Sequence, residues 1–268
     1  MTTLLCNIKT TLDKDNQLPF SIYTSYKEQK LLNVPIPKPL LIVVLNGNKE
    51  LGKNNTATCH AGHFVFLSDS PAINMRNIPQ GENYYALVIE FDYQDFSGLQ
   101  INSSNKQDYF IGKTTPILEK CLEQFVEIST HTPREIWSHR KREIIQVLCH
   151  MGHTDILSLL STPKVKDKVH DLFTSQNFQE LSIEFICNQL ITSESTLRRK
   201  LKAEGTSVQE IKDKARLGFG FHLLQTTQDS IGLIAEKCGY QSQSRFTDKF
   251  KSLYGLTPSE LRKTKMDD

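Results

Sequence analysis

The apolar period of this sequence changes partway along the chain, and that change limits the folds open to it. From Pro19 to Asp92 the short apolar runs FSIYTSY, PLLIVVLNG, HFVFLSD, AINMRNI and NYYALVIEFD alternate with the turn-forming NGN, AGH, SDSP and IPQGEN. Such spacing predicts the strands of a β-barrel or sandwich, whose mouth is a common place for a ligand. After Lys113 the spacing becomes helical. Ile117, Leu118, Cys121, Leu122, Phe125 and Val126 form one stripe, and Ile136, Arg140, Ile144, Val147, Leu148 and Met151 form a second behind Pro133. From Pro163, the expected first residue of a new helix, everything reads as short helices.

In this helical region a single pattern occurs twice. Residues 181–205, LSIEFICNQLITSESTLRRKLKAEG, give a helix with Leu181, Phe185, Ile186 and Leu190 inward, a turn, and a second helix capped by Ser193 with Leu197 and Leu201 inward. The face opposite those leucines carries Ser195, Thr196, Arg198, Arg199 and Lys202. Arginine there can bond guanine edges or neutralise phosphates, so the second helix is a candidate recognition helix. Residues 230–255 repeat the scheme: Ile231, Ile234 and Ala235 inward, a turn at Gly239, a cap at Ser242, and a helix with Phe246, Phe250 and Leu253 inward. Gln243, Ser244, Arg245, Thr247 and Lys249 remain for solvent or DNA. Between the units, Ser207 and Glu210 predict a capping box opening a helix to about Gln225, roughly 28 Å long. A spacer of that size can hold two recognition helices about one DNA turn, ~34 Å, apart.

Charge agrees with this division. The 268 residues carry 32 basic and 30 acidic side chains, but from Ser161 onward the count is 17 against 14. Ser193 to Lys202 alone holds Arg198, Arg199, Lys200 and Lys202 against Glu194. The longest apolar run, Leu40 to Leu45, is strand-sized, so no membrane span is expected. The opening MTTLLCNIKTTLDKDNQ lacks the pattern of a secretory signal, and six dispersed cysteines without a C-x-x-C pair fit reduced thiols; both point to the cytoplasm. No nucleophile elbow, phosphate loop, dinucleotide fingerprint or H-E-x-x-H is present, so no catalytic residue is assigned and an enzyme is not expected.

The text SESTLRRKLKAEG, followed by ARLGFGFHLLQTTQDSIGLIAEKCGYQSQSRFTDKFKSLYGLTPSELR, resembles the DNA-binding domain of AraC/XylS-family transcription regulators. It follows that family's G-[FY]-x-[SD]-x-[SR]-x-F…F-x-x-x-[FY]-G-x-[TS]-P-x-x-[FLY]-R signature nearly throughout. AGHFVFLSDSP and YYALVIEF are similar, more distantly, to the family's cupin-like sensing domain. The resemblance implies an α+β two-domain chain: residues 1–160 a cupin-like barrel or sandwich with flanking helices for sensing or dimerisation, and residues 163–268 a double helix-turn-helix domain joined by a linker helix. It also implies that Ser195, Thr196, Arg198 and Arg199, then Gln243, Ser244, Arg245 and Thr247, face DNA. Gly218 and Gly220 depart from the family by interrupting the linker helix, and Asp248 by standing where several relatives are basic.

The expected function is a sequence-specific transcription regulator, an activator. Its partners would be double-stranded promoter DNA, RNA polymerase, a small-molecule effector and a second copy of the chain. Ile136, Trp137, Ile144 and Leu148 are the expected dimer stripe. A repressor without a small-molecule ligand is one alternative. A cupin-type metalloenzyme with a helical interaction domain is another, and it would need metal at His60 and His63; with Cys59 these give three ligands and no fourth, so no metal or cofactor is assigned.

Overall fold

The computed structural model describes residues 4, 7–8, 18–52, 57–68, 72–99, 107–160, 163–176 and 181–265. Strands β1 (Ser21–Ser25), β3 (Leu40–Asn46), β6 (His63–Leu67), β8 (Tyr84–Glu90) and β9 (Tyr109–Lys113) form one sheet in the order β1-β8-β3-β6-β9. A second sheet has the order β2-β7-β4-β5, from β2 (Gln29–Val34), β4 (Asn48–Leu51), β5 (Ala57–His60) and β7 (Ile73–Ile78). All pairings are antiparallel, with Ile42 opposite both Val88 and Val65.

The continuous apolar run of β3 follows from burial on both faces. Leu41, Val43 and Leu45 point to a core shared with helices α1 (Pro116–Ser129) and α2 (Arg134–His150). Ile42 and Val44 point the other way, into the sandwich, where they meet Leu31, Leu51, Ile73 and Met75 of the second sheet. α1 starts at proline behind the cap Thr115, and α2 turns back against it.

The helical region comprises α3 (Val165–Ser175), α4 (Ile183–Gln189), α5 (Glu194–Ala203), α6 (Val208–Thr226), α7 (Ile231–Lys237), α8 (Gln243–Tyr254) and α9 (Pro258–Lys263). α3 begins two residues later than Pro163, because the Lys164 backbone N–H is held by the Asp167 carboxylate at 2.8 Å. Six starts carry a serine or threonine cap: Ser182, Ser193, Ser207, Ser230, Ser242 and Thr257 each accept from the backbone N–H three residues on. Each is worth about 1 kcal/mol, so helix boundaries here are set locally. The capping box expected at Ser207 is only half formed, since the Glu210 carboxylate turns to the Thr206 hydroxyl.

The helices divide between two cores. Val169, Phe173, Ile186, Leu197, Leu201, Ile211 and Ala215 make a small core around α4 and α5. Phe221, Leu224, Ile234, Phe246, Phe250 and Tyr254 instead join the core inside the sandwich. The second helix-turn-helix unit is thus built onto the β-structure, and the first hangs from it through α6.

Candidate nucleic-acid interface

α5 turns Leu197 and Leu201 into the small core and leaves Ser195, Arg198, Arg199 and Lys202 exposed. Thr196 is half-buried, its hydroxyl accepting from Ser193 Oγ at 2.9 Å. Arg198, with its side chain 67% exposed, is held by Glu194 one turn earlier, with Nε and Nη2 each 2.7 Å from Oε1. Glu194 thereby fixes the direction of the guanidinium and offsets its charge. On α8, Phe246 and Phe250 are fully buried, while Gln243, Ser244, Arg245 and Lys249 are exposed and Thr247 is half-buried. Lys249 reaches back to Asp213 of α6 at 3.0 Å.

α6 has 19 residues, about 28 Å of helix, and carries both units. Its two glycines differ in purpose. A Cβ on Gly220 would lie 2.7 Å from the Phe246 ring and 3.1 Å from Cys238 Sγ, so glycine allows α8 to approach the spacer. A Cβ on Gly218 would meet nothing within 4 Å, and that residue lines a cavity.

That cavity, about 900 Å³, lies between the sandwich and α6. Leu31, Ile42, Met75 and Val88 supply its sandwich side, and Ala215, Gly218, Phe221 and His222 its α6 side. Tyr23 sits at the seam, its ring 5.8 Å from that of Phe221 and its hydroxyl 3.5 Å from His222 Nδ1. Burial pushes the Tyr23 phenol up and the His222 imidazole down, so both stay neutral near pH 7. The seam is also pinned at two polar points. Tyr26 and Lys27 donate their backbone N–H groups to the Thr264 carbonyl at 2.8 and 3.2 Å, and Lys38 bridges Asp92 at 2.8 Å to Asp171 of α3 at 3.4 Å.

A buried polar chain crosses the same seam. Lys49 Nζ donates to Asn77 Oδ1 at 2.7 Å, Asn77 Nδ2 to Gln29 Oε1 at 2.9 Å, and Gln29 Nε2 to Thr264 Oγ1 at 2.8 Å. Gln225, near the end of α6, also donates to Gln29 Oε1, at 3.3 Å. Sequence reasoning missed these residues. The available signal was the inward register of Lys49 within β4, NKEL, beside inward Leu51.

One expectation needs correction. Ile144 and Leu148 are fully buried in their own domain's core, so the proposed dimer stripe loses half its members. Ile136 remains 44% exposed, and Trp137 is half-buried with its indole N–H on the Thr132 carbonyl. Strand alternation also turns Cys59 inward and His60 outward, where the imidazole meets Asn48 Oδ1 at 2.8 Å. Among the described residues no group of three or more His, Cys, Asp or Glu is placed to hold a metal ion, and none of the helices could cross a membrane. Of the cysteines, Cys59, Cys121, Cys187 and Cys238 are buried free thiols and Cys149 is a half-buried one; Cys6 lies outside the described residues.

Two exposed, capped second helices carried on one spacer define a bipartite helix-turn-helix domain. Residues 186–264 match the family model described as a helix-turn-helix domain. Around this segment the chain is similar in sequence to bacterial transcription regulators. The urease operon transcriptional activator of Escherichia coli is 33% identical over 112 residues, 40% of this chain and 38% of that protein. The Escherichia coli regulator AdiY is 32% identical over 94 residues, 35% of this chain and 37% of the relative, and GadX is 30% identical over 128 residues, 46% and 47%. The chain therefore spans less than half the length of these curated relatives. Over nearly its whole length the fold is that of ToxT from Vibrio cholerae, solved with an unsaturated fatty acid bound: TM-score 0.66, 18% identity, 94% of this chain and 97% of that one.

Proposed function

We propose that this chain is a cytoplasmic, sequence-specific transcription activator whose hold on promoter DNA is set by an apolar effector in the cavity beside α6. It would act by binding rather than catalysis. α5 and α8 would enter successive major grooves on one face of the duplex, Arg198, Arg199, Gln243 and Arg245 reading bases and Lys202 and Lys249 taking phosphates. Ser195, Thr196, Ser244 and Thr247 would bond the backbone at the start of each helix.

One observation carries the regulatory side of this reading. The same helix, α6, spaces the two recognition units and walls the cavity through Ala215, Gly218, Phe221 and His222. A ligand there touches the element that decides whether both units reach DNA together. The fatty acid recorded in the ToxT structure supports an effector of similar character, a long apolar molecule with one polar end. Selection of duplexes from a random pool, repeated with and without oleic acid, tests the proposal. The expected result is a bipartite consensus whose affinity for the full chain changes with oleate. Absence of any consensus would remove the DNA-binding reading, and a consensus indifferent to apolar ligands would remove the effector.

A further inference from the structure

Lys49 is 4% exposed, faces the interior of the sandwich and lines the cavity, yet no carboxylate within 4 Å accompanies it among the described residues. An ammonium has three protons to donate. The hydrogen-bond partner found for it is Asn77 Oδ1; the Cys59 thiol across the strand pair and the Tyr84 ring, 5.9 Å away, lie near it, and Leu31, Ile42, Met75 and Val88 line the same cavity. An isolated charge in such a place is costly, and the cost is relieved by an anion that accepts the unspent donors. Burial has already pushed the ammonium down to about 8. Lys38, by contrast, is met by Asp92 and Asp171, so it has no charge to offer a ligand.

We propose that Lys49 is an anion anchor inside the sandwich, taking the single acidic group of an otherwise apolar effector whose tail runs toward Gly218 and Phe221 of α6. The inference rests on the cavity being the effector site and adds which end of the ligand goes where. It also gives the polar chain a role: an acid seated at Lys49 lies one residue from Asn77, whose amide leads through Gln29 to Gln225 of α6 and to Thr264. The bare backbone at Gly218 leaves room for the opposite end.

The test compares oleic acid with oleyl alcohol, which share a tail and differ in charge. Trp137, the one tryptophan of the chain, lines the cavity, so its fluorescence reports filling in the full-length protein. Wild type is expected to bind the acid about tenfold or more tightly than the alcohol, the scale of a charge-assisted hydrogen bond. Lys49→Met should abolish that preference while keeping alcohol affinity. Lys49→Gln, which keeps a donor for Asn77, should lose it as well, and Lys141→Met at the cavity wall should not. Acid preference surviving in both Lys49 variants would overturn the anchor. Equal binding of acid and alcohol by wild type would overturn the anchor and leave the effector reading standing. If wild type bound neither, both would fall.

Discussion

Ile191 and Gly239 occupy the same place in the two helix-turn-helix units, each second after its first helix and each with positive φ, 50° and 75°. The turns match in hydrogen bonding too: Thr192 N–H reaches the Cys187 carbonyl at 3.0 Å, and Tyr240 N–H the Ala235 carbonyl at 2.9 Å. Glycine takes that conformation without strain, whereas a β-branched residue does not. Ile191 is also 94% exposed, so little burial compensates. Ile191→Gly is therefore expected to stabilise the first unit by about 1 kcal/mol, the strain relieved exceeding the extra entropy of the unfolded glycine. Urea denaturation of the two proteins checks this; a loss of stability would show that the exposed side chain has a partner.

Substitution of the two spacer glycines should have opposite effects. Gly218→Ala meets nothing within 4 Å and gains about 1 kcal/mol of helix propensity. Gly220→Ala drives a methyl against the Phe246 ring and should cost about 1–3 kcal/mol through displacement of α8. Equilibrium unfolding measures both, and equal effects would contradict the different packing assigned to them.

Read as sequence, the two glycines are merely poor helix formers; only the approach of α8 explains one and the cavity the other. The same limit holds elsewhere. PLLIVVLNG and NYYALVIEFD are legible as strands because both faces of their sheet are buried, while NKEL and ATCH are too short and polar to stand out and are strands only through pairing with each other and β7. α5 and α8 are legible because serine caps and inward leucines or phenylalanines act locally. Burial of Ile144 and Leu148 depends on α1 lying across α2, which periodicity does not specify. The chain from Lys49 to Thr264 joins residues more than 200 positions apart and leaves no local trace.

Lys49 also gives a pH signature. Its amine is pushed down from 10.5 to about 8 by burial, so below pH 8 the folded state holds a charge it disfavours. Between pH 8 and 10.5 the unfolded chain binds more protons at this residue, and stability at that site rises with pH. The facing Cys59 thiol is pushed up to about 12 and the Tyr84 phenol higher still, which works in the opposite direction above pH 9. The observable is therefore the difference between wild type and Lys49→Met. The variant should be more stable by on the order of 3 kcal/mol at pH 7, and most of that advantage should vanish by pH 10. A pH-independent difference in calorimetric melting would refute the buried charge.

On the proposed DNA face, Arg198 and Glu194 make separate predictions. Arg198→Ala should lose about 1–3 kcal/mol of specific binding. Glu194→Gln removes a carboxylate that competes with DNA for the same guanidinium, so affinity should rise. Lys202→Ala should weaken all sequences alike and reduce the salt slope by about 1. Fluorescence anisotropy over a salt series separates the three.

Two recognition helices acting together from one spacer are the centre of the proposed mechanism. Hydroxyl-radical footprinting of the full chain on its selected duplex measures that cooperation directly. Two protected stretches about 10 base pairs apart on one face are predicted, with Arg198→Ala fading one and Arg245→Ala the other. A single protected stretch, or one indifferent to either substitution, would contradict it.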